Sequence, residues 1–87
     1  MADVHLPGTL PPLFRDLPRW VDVDAATVDE AITRMDERWP GLRDRLCAEG
    51  PTIRPHIHVY VDRERAELGT ELTARSRIDV IAAISGG

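Results

Sequence analysis

Lysine is absent from the 87-residue sequence, and all eleven basic residues are arginine. Cysteine occurs once, as Cys47, so no disulfide can form within the chain and no oxidising compartment is required. No segment approaches the ~20 consecutive apolar residues of a membrane span, and the first ten residues lack the basic and apolar regions of a secretory signal. We therefore expect a cytoplasmic protein that is not inserted in a membrane.

The sequence also lacks a clustered run of basic residues. Its formal net charge is -4 at pH 7, and the charges of the two signs are interleaved. Nucleic-acid binding needs basic groups gathered against phosphates, so the charge pattern favours a protein or small-molecule partner. A chain of this length buries only about 60% of its unfolded surface and supports one core, so we predict a single domain over residues 1–87.

Two stretches near the start, "ADVHL" and "RWVDVD", alternate apolar and polar residues and predict two half-buried strands. The segment between them, "PGTLPPLFRDLP", contains four prolines and a glycine, which exclude a central strand or a long helix. It therefore predicts an extended connection, with Leu10, Leu13 and Phe14 held against the core.

Thr27 stands three residues before Glu30, the spacing of a capping box, and predicts the start of a helix. An apolar stripe at helical spacing follows, formed by Val28, Ile32, Met35 and Trp39. Pro40 ends or kinks this helix, and "PGLRDRL" predicts a second helical turn that buries its two leucines. We assign Thr27 and Glu30 a structural role.

After the predicted loop "CAEGPTIRP", the alternation in "HIHVYVD" predicts a third strand. "RERAELGTELTARSR" predicts turns and at most one short strand, and "RIDVIAAIS" predicts a largely buried last strand. The resulting order of strand, strand, helix, strand and strand predicts an α+β fold, a mixed sheet packed on one principal helix.

This order, the short chain and the closing Gly86-Gly87 resemble the ubiquitin-like β-grasp sulfur carriers. These include the small subunit of molybdopterin synthase and the carriers of the thiamine and cysteine pathways. The motifs that carry the resemblance are "HVYVDRE" and "GTELTARSRIDVIAAISGG". Family members often have Gly-Asp before the last strand and prolines after it, where this chain has Arg75-Ser76 and Ala82-Ala83.

The resemblance implies that the Gly87 carboxylate is the reacting group of a sulfur carrier. An ATP-dependent activating enzyme would adenylate it, a sulfur nucleophile would convert it to a thiocarboxylate, and a synthase would accept the sulfur. The chain would bind no cofactor itself and would not be an enzyme. Residues 82–87 are then a flexible tail of roughly 20 Å when extended at about 3.3 Å per residue. Its glycines have no Cβ to clash in a narrow passage.

The resemblance also implies partner-binding residues: Ile81 on the sheet, and Ile84, Ser85 and Gly86 in the tail. An alternative for Ile81 is packing on the proline-rich segment. His56 and His58 form an H-x-H pair that chelates zinc only if a third ligand converges. We expect no metal site, and solvent-facing histidines are the simpler interpretation. No base is evident near Cys47, which we interpret as a small, partly buried residue.

Two other functions remain open. A ubiquitin-like modifier would transfer the same activated Gly87 to a lysine of another protein, although a chain without lysine cannot form lysine-linked chains on itself. A β-grasp interaction module with an inert tail would instead function without Gly86 and Gly87. The acceptor and pathway stay undetermined, with molybdopterin, cysteine and a sulfur-containing secondary metabolite all compatible.

Overall fold

Strands occupy both ends of the chain, with two helices between them. The computed structural model describes residues 1–82. Its strands are β1 (Ala2–His5), β2 (Trp20–Val23), β3 (Cys47–Ala48), β4 (Thr52–Ile53), β5 (Ile57–Val61), β6 (Glu64–Arg65) and β7 (Arg77–Ala82), and its helices are α1 (Val28–Arg38) and α2 (Leu42–Leu46). Neither helix is long and apolar enough to cross a bilayer.

Five strands form one mixed sheet in the order β2-β1-β7-β5-β6. β1 and β7 run parallel at its centre, and the other neighbours are antiparallel. Val4 lies opposite Ile78, and Val59 opposite Val80, and all four are buried on the face that packs against α1. The predicted mixed sheet on one principal helix is confirmed.

The capping box forms as the sequence predicts. Thr27 Oγ1 accepts a hydrogen bond from the Glu30 amide at 3.1 Å, and Glu30 Oε1 accepts one from the Ala26 amide at 3.3 Å. The apolar stripe is buried, with Val28, Ile32, Met35 and Trp39 each at most 7% exposed. Each such side chain contributes about 1.5–3 kcal/mol by leaving water, so this stripe fixes the helix on the sheet.

An arginine joins the two helices. Arg43 Nη2 donates to Asp29 Oδ1 at 2.6 Å, to the Asp29 carbonyl at 3.1 Å and to Thr33 Oγ1 at 2.7 Å. The hydrogen bond to Asp29 raises the pKa of Arg43 above its ordinary value, against the opposing effect of burial. Leu42 and Leu46 are buried, which confirms the predicted second helical turn.

The segment after α2, which we predicted as a loop, forms a second, two-stranded sheet. β3 and β4 pair antiparallel, with Cys47 opposite Ile53. The Arg54 amide adds a hydrogen bond to the Leu46 carbonyl at 2.9 Å. Strands of two residues contain no hydrophobic period, so the loop prediction was wrong here for lack of a local signal.

The proline-rich segment differs from its prediction in which leucines it buries. Residues Pro11–Leu13 form a 3-10 turn. Leu10 is buried and Phe14 is partly buried, as expected, but Leu13 is 52% exposed and Leu17 is buried instead. The turn rotates Leu13 away from the core, so its predicted packing was wrong.

A two-residue turn connects β5 to β6. Val61 lies opposite Glu64, and the residues between them, Asp62 and Arg63, have φ values of 49° and 74°. Positive φ at both central positions is the geometry of the tight hairpin turn that matches strand twist. The turn places the exposed side chain of Arg63 beside the outer face of the sheet, the face opposite α1.

Candidate functional site

Ile81 lies on the outer face near the end of β7. The strand alternates, with Ile78 and Val80 buried and Ile81 49% exposed. The proline-rich segment therefore leaves about half of Ile81 open to solvent, although its first residue, Pro7, lines the same groove as Ile81. The strand β7 is buried on one face only, because Arg77 and Ile81 are exposed and Asp79 is half-buried.

Ile81 is one wall of a groove on the outer face, which we call the outer groove. The groove has a volume of about 600 Å³, and its lining includes Pro7, Trp20 and Ile81 together with Arg19, Arg63 and Arg77. Trp20 is 68% exposed, and its ring centroid lies 5.1 Å from that of His5 on the neighbouring strand. The groove is therefore lined by apolar side chains together with arginines.

Two close polar side-chain pairs lie on this face, a hydrogen-bonded histidine and aspartate and an arginine–aspartate ion pair. His5 Nε2 is 2.7 Å from Asp3 Oδ2, and Arg77 Nε is 3.2 Å from Asp79 Oδ1. Within residues 1–82, neither Arg19 nor Arg63 forms an ion pair. The groove thus keeps two guanidinium groups for which the described part of the chain supplies no carboxylate.

The two histidines of the H-x-H motif do not share a strand face. His58 is half-buried on β5 opposite Ile81, whereas His56 precedes β5 and is exposed. Across residues 1–82 no three His, Cys, Asp or Glu side chains are grouped so that they could hold a metal ion. Asp62, which follows the strand that carries His58, accepts a hydrogen bond from the Arg77 amide at 2.9 Å.

Cys47 lies where α2 meets β3 and is 5% exposed. Burial raises the pKa of its thiol above the ordinary value, while the nearby Arg43 charge acts in the opposite direction. The thiol is therefore protonated at neutral pH, which is the state of a structural rather than a nucleophilic cysteine.

The remaining predicted site residues, Ile84, Ser85, Gly86 and Gly87, lie outside the described residues. Ala82, which we placed at the start of the tail, is the last residue of β7. The sequence interpretation did not include Trp20, Arg19 or Arg63 in the site. The alternation of "RWVDVD" puts Trp20 on the outer face, but only the sheet order brings it near Ile81.

Solved structures of small β-grasp proteins match the chain over nearly its full length. A chain in the complex of BexX with CysO from Amycolatopsis orientalis is 26% identical, with a TM-score of 0.89 and complete coverage of both chains. SAMP1 from Haloferax volcanii is 27% identical, with a TM-score of 0.82 and coverage of 99% and 98%.

CysO from Mycobacterium tuberculosis has a TM-score of 0.84 at 19% identity, covers 97% of this chain and supports the fold. No family model and no curated protein matches the sequence. The similarity is therefore detected by structure, and it confirms the ubiquitin-like β-grasp fold that the family resemblance implies.

Proposed function

We propose that the chain carries sulfur on the carboxyl group of Gly87, because its fold matches the structures of the BexX/CysO complex and of SAMP1 over nearly its full length. The observation that carries this proposal is the full-length match to the chain of the BexX/CysO complex, with a TM-score of 0.89. The second basis of the proposal is the sequence "AISGG" that follows β7, because it ends in the two glycines next to the reacting carboxyl group.

The chemistry requires an activating enzyme, because a carboxylate is a poor electrophile. The Gly87 carboxylate attacks the α-phosphorus of ATP bound to that enzyme, and pyrophosphate leaves. Sulfide, or an enzyme-bound persulfide followed by reduction with a thiol, then displaces AMP from the acyl-adenylate and leaves a thiocarboxylate. A synthase takes the sulfur, and the Gly87 carboxylate is regenerated by water. The chain is a co-substrate in this cycle and not its catalyst.

The described residues support this role by anchoring the strand that precedes the tail. β7 pairs with β1 on one side and with β5 on the other, and Ile78 and Val80 are buried beneath it. A partner that draws the tail into its active site therefore acts on a fixed strand. Ile81, half exposed near the end of that strand, gives the partner an apolar contact beside the tail.

The two glycines suit the proposed passage through the activating enzyme. Glycine has no Cβ, so it allows close approach of surrounding groups and a wide range of backbone angles. Replacing Gly86 by Val would add a branched side chain next to the reacting group. We expect this variant to fold like the wild type and to lose activation.

The intact mass of the purified protein tests the proposal. After incubation with an activating enzyme, ATP and sulfide, the wild type should gain the mass that corresponds to exchange of one oxygen for sulfur. A variant lacking Gly87 should show no gain, whereas Leu13→Ala, changed at an exposed residue outside the outer groove, should gain the same mass. Absence of a gain with several activating enzymes of this type would count against the carrier function.

Conjugation to other proteins is the second candidate function, because SAMP1, a small archaeal modifier protein, also matches over nearly the whole chain. Arg77 is the last basic residue, so trypsin would leave residues 78–87 on a modified lysine. Detection of that ten-residue remnant on cellular proteins would favour the modifier. If deletion of Gly86 and Gly87 left cellular function unchanged, the inert interaction module would be favoured.

A further inference from the structure

Two exposed apolar side chains, those of Trp20 and Ile81, line the outer groove. Four large hydrophobic residues are markedly exposed among residues 1–82, namely Met1, Leu13, Trp20 and Ile81. Trp20 and Ile81 come from strands separated by β1, and both line this one groove. Exposed aromatic and aliphatic side chains that share a concave surface are typical anchors of protein interfaces.

The charge of the groove is opposite to that of the chain. The chain carries a net charge of -4, whereas among residues 1–82 the groove is lined by three arginines and one carboxylate, that of Asp79. Asp79 is already paired with Arg77, which leaves Arg19 and Arg63 to interact with a partner. A partner carboxylate placed there would form charge-assisted hydrogen bonds with guanidinium groups.

From this arrangement we propose that the outer groove binds an acidic protein segment that inserts an apolar side chain between Trp20 and Ile81. The proposal rests on the carrier function in one respect, because the segment belongs to the enzyme that acts on the tail. Arg19 and Arg63 select the acidic segment, and Trp20 supplies the contact area. Nucleic acid fits less well, because Asp3 and Asp22 lie on the same face of the sheet.

Selection from a random 12-residue peptide library displayed on phage tests this specificity with the full-length chain. The enriched peptides should combine aspartate or glutamate with an aromatic or aliphatic residue. Their affinity should fall at least tenfold for Trp20→Ala and for the double variant Arg19→Glu/Arg63→Glu. Leu13→Ala and Arg75→Glu change exposed residues of the same types outside the groove, so they should bind within twofold of the wild type.

Three results would overturn the proposal: no enrichment, enrichment of neutral or basic peptides, or binding that the groove variants do not change. Concentration-dependent dimerisation that Trp20→Ala abolishes in sedimentation experiments would also overturn it, because the occupant would be a second copy. If a groove variant does not fold, amide shifts of the ¹⁵N-labelled wild type with a synthetic enriched peptide decide the matter. Shifts confined to the groove support the proposal, and shifts elsewhere contradict it.

Peptide binding needs neither ATP nor sulfide, so its failure is distinguishable from failure of the carrier function. If the wild type gains the sulfur mass but binds no acidic peptide, the carrier function is supported and the groove proposal is wrong. If the wild type binds acidic peptides through the groove but never gains the mass, the acidic specificity of the groove is supported and the carrier function is not. In that case the segment does not belong to an enzyme that loads sulfur.

Discussion

His5 and Trp20 are cross-strand neighbours whose ring centroids lie 5.1 Å apart on the outer face of the sheet. The imidazole of His5 is held in turn by Asp3, 2.7 Å from its Nε2. The indole is therefore supported on one side by a fixed ring while 68% of its residue surface stays open to solvent. This combination of a supported ring and an exposed surface is what a contact residue needs, and its consequences can be measured.

Trp20 contributes little to folding compared with the other tryptophan, Trp39. Trp20→Ala should lower the free energy of unfolding by about 1 kcal/mol or less, because it removes one exposed aromatic pair. Trp39→Ala should lower it by about 3–5 kcal/mol, because Trp39 is 7% exposed and lies in the core. Urea denaturation followed by circular dichroism measures both. Equal losses would mean that Trp20 is a structural residue.

Ile81 and Ile78 lie on the same strand, but Ile81 is exposed and Ile78 is buried. Substitution of Ile81 should therefore affect binding, whereas substitution of Ile78 should affect folding. Ile81→Ser should raise the concentration at which the chain half-saturates its activating enzyme about tenfold, which corresponds to about 1.4 kcal/mol of lost contact. Leu13→Ser, changed at a residue of similar exposure, should leave that concentration unchanged. Ile78→Ala should lower the free energy of unfolding by about 2–5 kcal/mol, since Ile78 is 2% exposed. An unchanged half-saturation for Ile81→Ser would remove this residue from the interface.

The N-terminal cap of α1 makes a measurable contribution to stability. Thr27→Ala removes the oxygen that accepts the Glu30 amide at 3.1 Å and should cost about 1 kcal/mol in unfolding free energy. Thr27→Ser keeps a hydroxyl in the same place and should restore most of the loss. If both variants unfold at the same urea concentration, the cap is not what stabilises the start of the helix.

Local patterns in the sequence predicted the main elements because each of those elements carries its own signal. Strict alternation marks β1, β2 and β5, an apolar and β-branched run marks β7, and the capping box marks α1. For Leu13 and Leu17, local patterns did not predict which leucine is buried. The proline-rich segment has no period, so the choice of the buried leucine depends on a 3-10 turn and on the packing of the rest of the molecule.

The outer groove was predicted only in part for a related reason. Ile81 was identified through the family resemblance, but Trp20 and Arg63 are 61 and 18 residues away in sequence. They join Ile81 because β1 and β7 are parallel neighbours and because the turn after β5 adopts positive φ values. The pairing of distant strands has no local sequence signal, so this grouping requires the tertiary structure.

The thiol of Cys47 should make stability depend on pH in the alkaline range. Burial raises the folded-state pKa of this thiol above its ordinary value of 9.0, so the folded state retains a proton that the unfolded state loses first. The contribution to stability is complete below pH 9.0 and declines as the pH rises from there through the folded-state pKa, at up to about 1.4 kcal/mol per pH unit. Urea unfolding of the wild type and of Cys47→Ala between pH 7 and pH 10.5 measures this decline, because other titrating groups are common to both proteins. The wild type should lose stability more steeply than the variant above pH 9.0, and parallel curves would show that the thiol has the same pKa in both states.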